Sequence, residues 1–342
     1  MIPRTTWKRI LLRSATPRRL YNAALLLLSY HVSRLLRRAW MPAQPAAIAV
    51  EPTTSCNLRC PECPSGLRSF TRPTGMLDAE LFKQLIDQTA SHTAYLTFYF
   101  QGEPYLHPRF TDMVKYAAAR KMITVTSTNA HYLNEENARH TIASGLSKLI
   151  ISLDGITQET YSAYRIGGKL STVLEGARTL LRMRDEMQSA TPFVTFQFLV
   201  VRVNEHEVDA ARQLSQELGA DEIVFKTAQL YDYENGNPLM PENESYSRYV
   251  RMSNGKYKIK GTLLNQCWKM WHSCVITWDG KVVPCCFDKD AVHQLGDVQQ
   301  LPLHQIWRST PYTNFRKAIL QSRSSIDICA NCSEGTKVFA AE

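Results

Sequence analysis

Between residues 46 and 229 the sequence alternates short apolar runs with amphipathic ones, and this alternation restricts the fold more than any other feature. The runs "AAIAVEPT", "AYLTFYFQGEP", "MITVTSTNA", "KLIISLDG", "FVTFQFLVV" and "DEIVFKTAQ" have the β-branched and aromatic content of buried strands. Between them lie "DAELFKQLIDQTA", "FTDMVKYAAARK", "NEENARHTIASG", "LSTVLEGARTLLRMRDEM" and "HEVDAARQLSQELGA", whose apolar residues recur at helical spacing. Strands linked by helices run parallel, because a helical crossover returns the chain to the end of the sheet where it started. The expected class is α/β, with helices covering a parallel sheet.

In such folds ligands bind beyond the carboxyl ends of the strands, whether the sheet stays open or curls into a barrel. Cys56 to Cys63 follow the first strand, Gln101-Gly102-Glu103-Pro104 the second, Ser127-Thr128-Asn129 the third and Ser152-Leu153-Asp154-Gly155 the fourth. Polar and thiol groups therefore gather on one rim. The stretch "EPTTSCNLRCPECPSG" holds Cys56, Cys60 and Cys63 within eight positions and no fourth cysteine nearby. A closed tetrahedral metal site wants four protein ligands, so either a distant residue completes a zinc site or the fourth place is filled from outside the protein.

The other cysteines form a second group: Cys267, Cys274, Cys285, Cys286, Cys329 and Cys332. Such close spacings suit metal or iron–sulfur ligation better than disulfides, and hence a reducing compartment. "CWKMWHSCVITWDGKVVPCC" contains a hairpin signal, Asp279-Gly280 between β-type runs. Cys267 precedes the hairpin, Cys285 ends it, and "CANC" adds Cys329 and Cys332 after the helical stretch "LHQIWRSTPYTNFRKAILQ". A zinc ribbon is also built from such parts.

CxxxCxxC after a first strand, with GEP after the second, resembles the radical S-adenosylmethionine superfamily. The cysteine-bearing end resembles that family's SPASM or Twitch domain, so the likeness spans roughly residues 46 to 335. It implies a partial (β/α)6 TIM-like barrel over 45–235, a linker or cap over 236–265 and an auxiliary cluster domain of hairpin and helices over 266–342, behind a basic helical extension over 1–44. It also implies that Cys56, Cys60 and Cys63 hold a [4Fe–4S] cluster whose remaining iron takes S-adenosylmethionine. Gly102 and Glu103 would meet the methionine end of that cofactor, Arg165 in "AYRIGGKL" its carboxylate, and Ser152 and Asp154 its ribose hydroxyls, with Asn129 on the same rim. One auxiliary [4Fe–4S] cluster, or zinc as the alternative, would be held by Cys267, Cys285, Cys329 and Cys332, leaving Cys274 and Cys286 surplus. The family usually has a second glycine where Gln101 stands and often a glycine at the place of Ala130.

The implied activity is reductive cleavage of S-adenosylmethionine to a 5′-deoxyadenosyl radical and hydrogen abstraction from a substrate. Net oxidation or modification of a peptide, an alcohol or a membrane- or lipid-linked metabolite would follow, with a flavodoxin or ferredoxin as reductant. A non-catalytic iron–sulfur or zinc protein would have no need of Glu103, Asn129 and Asp154 together. The tyrosine-rich stretch "KTAQLYDYENGNPLMPENESYSRYV" is read as a cap over the site or as interdomain packing.

The formal charge of +9 suggests nucleic acid until it is located. Arg4, Lys8, Arg9, Arg13, Arg18, Arg19, Arg34, Arg37 and Arg38 precede the first acidic residue, Glu51, and the remainder balances at 31 basic against 31 acidic residues. A neutral catalytic body argues against phosphate recognition and so against RNA modification. "RRLYNAALLLLSYHVSRLLRRAW" reads as one helix with a polar stripe of Asn22, Ser29, Ser33 and Arg37 opposite leucines, and with Trp7 and Trp40 near the ends of the basic segment. Its apolar run is too short to span a bilayer, and Arg34 to Arg38 make a poor signal-peptide cleavage region. The expectations are packing on the domain's own surface or peripheral contact of residues 1–40 with an anionic membrane, in a cytoplasmic protein.

Overall fold

The structure is a computed structural model that describes residues 7–335; Arg4 and the side chains of Trp7 and Lys8 lie outside the description. Helices α1 (Trp7–Ser14) and α2 (Pro17–Leu36) precede strand β1 (Ala47–Val50). The chain continues through α3 (Pro64–Leu67), α4 (Ala79–Thr89), β2 (Tyr95–Thr97), α5 (Phe110–Ala119), β3 (Ile123–Thr128), α6 (Glu135–Ala143) and β4 (Lys148–Ser152). Helices α7 (Gln158–Tyr164) and α8 (Leu170–Glu186), strand β5 (Phe193–Val200), helix α9 (Val208–Leu218) and strand β6 (Glu222–Thr227) complete the alternating part. A two-stranded ribbon, β7 (Tyr249–Arg251) and β8 (Tyr257–Ile259), is followed by α10 (Lys269–His272), β9 (Ser273–Ile276), β10 (Lys281–Val283) and β11 (Gly296–Asp297). Helices α11 (Leu303–Trp307), α12 (Thr310–Ser322) and α13 (Asp327–Ala330) close the described chain.

Strands β1 to β6 lie side by side in sequence order, each parallel to the last. Winding that never reverses makes a sector of a barrel, whereas a doubly wound sheet changes direction partway across. Each connecting helix buries one face on the strands: α8 turns Val173, Ala177, Leu180 and Leu181 inward, at intervals of four, three and one. Asp78 caps α4 by accepting the N–H groups of Glu80 and Leu81, a contact worth about 1 kcal/mol.

The other edge of β1 is not open. Strand β9 pairs parallel to it, with Ile48 opposite Cys274, and β10 and β11 extend the sheet antiparallel to nine strands. The expected hairpin forms at Asp279-Gly280, with Gly280 at φ +81°. Covering β1 removes an exposed strand edge at the cost of joining two regions that the sequence presents as separate.

The helix expected over residues 18–40 is α2, which ends at Leu36, and a separate helix, α1, precedes it. Thr16 caps α2 by accepting the Arg19 N–H and Pro17 occupies its first turn, so α1 ends before them. The polar stripe of α2 is present, and it faces inward. Asn22, Ser29 and Ser33 are buried while Leu20, Leu27, Leu28 and Leu35 are exposed. Asn22 donates to the Gln44 carbonyl and accepts the Gln44 N–H, both at 2.9 Å, and the Ser33 hydroxyl accepts the Trp40 N–H at 3.0 Å. Arg37 leaves the stripe: it is an exposed C-cap in the left-handed region. Arg19, one of the basic residues that precede Glu51, is buried and donates to the carbonyls of Ala90, Arg120 and Lys121, where α4 and α5 end. Among the described residues no helix is long and apolar enough to cross a membrane.

Candidate active site

A cavity of about 160 Å³ opens at the carboxyl ends of the first strands, and Cys56, Cys60 and Cys63 line it together. Gly102, Glu103, Asn129, Ser152 and Arg165 line it as well. These expected rim residues share one cavity, and Asp154 is not among its lining.

Gly102 shows how the loops are locked. Its φ is +74°, and a Cβ there would lie 2.1 Å from the Thr53 carbonyl oxygen and 2.8 Å from that of Ser55. Only glycine lets the loop after β2 press on the cysteine loop, and the contact is then sealed by hydrogen bonds. The Glu103 N–H donates to the Ser55 carbonyl at 2.8 Å and the Gly102 N–H to the Ser65 hydroxyl at 2.9 Å.

The Glu103 carboxylate is held by the end of β3. It accepts the Thr128 hydroxyl at 2.7 Å, the Asn129 N–H at 2.8 Å and the Tyr105 N–H at 3.3 Å. Burial pushes its acid up to about 7 in spite of these donors. Asn129 donates its side-chain amide to Asn57 in the cysteine loop at 2.7 Å, and Ala130 takes φ +64°, the left-handed conformation that explains a glycine preference there.

Asp154 departs from the expectation. Its carboxylate is fully buried beneath the rim, accepting the Leu199 N–H at 2.7 Å and pairing with the Arg165 Nε. Both oxygens being engaged, it positions Arg165 and does not face the cavity. Arg165 in turn directs Nη1 toward the Cys60 Sγ at 3.6 Å. Gln101, noted in the sequence only as a departure, is buried and lies 3.8 Å from the Cys63 Sγ through its side-chain oxygen.

Burial pushes the Cys56 thiol up to about 11 and also raises Cys60, so these thiols hold their protons until positive charge arrives. The cavity wall thus supplies three thiols, one guanidinium and a carboxylate whose donors already fix it. That donor set fits an iron–sulfur cluster with a place left for a ligand carrying amino and carboxylate groups.

A second cavity is lined by Cys267, Cys285, Cys329 and Cys332. Among the described residues no three His, Cys, Asp or Glu side chains approach closely enough to hold a single metal ion; the thiols surround a cavity instead. Arg323, which no motif singles out, is buried there and donates to the Cys332 Sγ at 3.3 Å and to the Gln266 carbonyl at 2.7 Å. Its positive charge matches a bound group that makes four thiols into thiolates. Cys274 lies elsewhere, on β9 inside the main core, where burial pushes its thiol up to about 12. Cys286 is exposed, 3.7 Å from the Lys269 ammonium.

The tyrosine-rich segment covers the cysteine loop from outside. Leu230, Met240 and Tyr249 pack with Leu58, Cys60 and Tyr164, and the Tyr231 N–H donates to Glu62 at 2.9 Å. The Tyr249 hydroxyl also donates to Asn331 in the second cysteine motif at 2.9 Å.

Two family models match the chain: the radical SAM superfamily over residues 50–214 and the SPASM iron–sulfur cluster-binding domain over 267–333. The tungsten-containing aldehyde ferredoxin oxidoreductase cofactor-modifying protein of Pyrococcus furiosus is 26% identical over 327 residues, covering 83% of this chain and 86% of the relative. The PqqA peptide cyclase of Gluconobacter oxydans is 25% identical over 297 residues, covering 80% and 79%. Among solved structures, Streptococcus suis SuiB bound to S-adenosylmethionine superimposes with a TM-score of 0.63 at 13% identity over 90% of this chain and 76% of SuiB. BtrN in complex with AdoMet and 2-DOIA gives 0.56 at 20% identity over 86% and 95%. At these identities the structures show a shared fold.

Proposed function

Because the chain belongs to the radical S-adenosylmethionine superfamily and carries a carboxyl-terminal SPASM domain, we propose that it is a modifying enzyme that acts on a peptide or peptide-derived cofactor precursor. The two domains imply a [4Fe–4S] cluster with S-adenosylmethionine and, as is typical of SPASM, an auxiliary iron–sulfur cluster. In the proposed assignment Cys56, Cys60 and Cys63 hold the first, and Cys267, Cys285, Cys329 and Cys332 the second. What the bound cluster and S-adenosylmethionine supply is one-electron chemistry that ends in removal of a hydrogen atom from the substrate.

The protein's own residues orient that chemistry. Glu103, fixed by Thr128 and Asn129, receives the amino group of the methionine moiety, and Arg165, aimed by Asp154, its carboxylate. Ser152, which lines the cavity, is assigned a ribose hydroxyl. The observation that carries the reading is the pair of thiol-lined cavities joined by one sheet, through the pairing of β1 with β9. An electron outlet beside the first site suits a net oxidation. The peptide class is supported by relatives whose names include a PqqA peptide cyclase and a mycofactocin maturase. The reductant is proposed to be a flavodoxin or ferredoxin.

The test is iron and zinc per chain after anaerobic reconstitution, with 5′-deoxyadenosine formation under reduction. About eight irons in the wild type and about four in the Cys56, Cys60, Cys63→Ala triple variant, with product formed only by the former, is expected. Zinc alone at both sites, or no 5′-deoxyadenosine from the iron-loaded protein, refutes it.

A further inference from the structure

We propose that α1 and α2 form a lipid-docking face that seats the end of the sheet where the strands begin on an anionic bilayer surface. The inference stands on the polarity of α2, whose inward stripe is polar except for Leu26 while four leucines point to solvent. A surface helix normally turns its apolar stripe to the core and its polar stripe to water. Here Asn22, Ser29 and Ser33 face the body and are satisfied by the backbone of Gln44 and Trp40, beside a buried Leu26 and a Tyr30 ring packed edge-on against Trp268 and Trp271. Leu20, Leu27, Leu28 and Leu35 face outward.

Leu20, Leu27, Leu28 and Leu35 are 60%, 51%, 52% and 83% exposed, and their spacing of seven, one and seven places them on one side of α2 over four turns. Leu11 and Leu12 of α1 are exposed too. Single exposed leucines are ordinary, but a row along a whole helix is an interaction surface.

The charge around the row selects the partner. Arg13, Arg18, Arg34, Arg37 and Arg38 are exposed on the same two helices and the turn that follows, and residues 1–50 contain no Asp or Glu. Leucines among arginines, without acids, match lipid acyl chains beneath anionic headgroups. A second copy of this chain is disfavoured, because apposing two such faces would bring the arginine sets together. Among the described residues no helix is long and apolar enough to cross a membrane, so the proposed contact of the pair is peripheral.

The position of the face is informative. The inward contacts of α2 are Gln44, His92, Lys121 and Trp271, which shortly precede β1, β2, β3 and β9. The helix therefore runs beneath the amino ends of the strands, and the thiol-lined cavity opens at the opposite ends. Docked in this way, the enzyme keeps its mouth toward the aqueous side. The inference does not depend on which substrate is modified.

The full chain with its clusters reconstituted is to be co-sedimented with vesicles of phosphatidylcholine alone and of phosphatidylcholine with about 30 mol % phosphatidylglycerol. Binding to the anionic vesicles, and its weakening in about 0.5 M salt, is expected. Leu20→Ser with Leu27→Ser and Leu35→Ser, and separately Arg34→Gln with Arg37→Gln and Arg38→Gln, should each reduce vesicle-bound protein by about tenfold or more at unchanged iron content and melting temperature. The arginine variant keeps the test open should the leucine variant fold poorly. Failure of the wild type to bind anionic vesicles, or equal binding by wild type and both variants, overturns the proposal. So does a wild-type dimer in sedimentation velocity that the leucine substitutions convert to monomer without any vesicle binding.

Discussion

Gly102→Ala should disable the S-adenosylmethionine site while leaving the rest of the molecule folded. The added methyl carbon would stand 2.1 Å from the Thr53 carbonyl oxygen, where ordinary contact begins at 3.4 Å. One loop must retreat by about 1 Å, and a shift of that size is enough to cost on the order of a hundredfold in a positioned reaction. The left-handed φ adds about 1–2 kcal/mol of backbone strain, and the bonds from Gly102 and Glu103 to Ser65 and Ser55, worth about 1 kcal/mol each, are stretched or lost. Gly145→Ala isolates the strain, because Gly145 has the same φ of +74° and its nearest neighbour would be 3.4 Å away. Affinity for S-adenosylmethionine, measured by equilibrium dialysis on reconstituted protein, should fall by about tenfold to a hundredfold in Gly102→Ala and remain unchanged in Gly145→Ala. Iron bound at the auxiliary site should be equal in both. If Gly102→Ala binds S-adenosylmethionine as the wild type does, the loop contact is not what holds the site.

The buried carboxyl of Glu103 makes the cofactor-free protein pH-sensitive. Its folded pKa lies above its unfolded value, so the folded state binds more protons and stability falls as pH rises from about 4.5 to about 7. Relative to Glu103→Gln the wild type should lose up to about 3 kcal/mol across that window in denaturant unfolding, and a constant difference would count against the assignment. Arg323→Gln removes the positive charge beside Cys332 and should move the auxiliary cluster to a more negative potential in redox titration, whereas an unchanged potential would make Arg323 purely structural. Cys274→Ala should cost about 1 kcal/mol of core packing and no iron, while Cys267→Ala should lose the auxiliary iron, as read by iron counting and spectroscopy.

The repeated strand and helix patterns were legible because each unit writes its own periodicity locally. Placement of the cysteines, Glu103 and Asn129 on one rim followed from parallel strands alone. The pairing of β9 with β1 was not legible, since Ser273–Ile276 reads as a strand of any sheet and nothing in it names Ile48 as its neighbour. The two faces of α2 were visible in the sequence, but their direction depends on Gln44, Trp40 and Trp271, which accept or fill the polar stripe from elsewhere in the chain. The start of α2 is written in Thr16-Pro17, a cap followed by a first-turn proline. Nothing in the sequence marks Arg19 and Arg323 as buried, because a buried guanidinium is recognisable only once the carbonyls and sulfur around it are in place.

The parallel seam between β1 and β9 also bears on timing. Electron tunnelling rates fall steeply with distance, and a protein whose redox centres ride on separate lobes can gate current by letting them swing. Here four consecutive residue pairs, Ala47 with Ser273 through Val50 with Ile276, stitch the two cysteine-bearing regions into one sheet. On the proposed assignment, that continuous sheet would fix the gap an electron has to cross when the chain folds. Turnover would then be governed by potentials and by whether substrate is in place, with the protein acting as a conductor of fixed length.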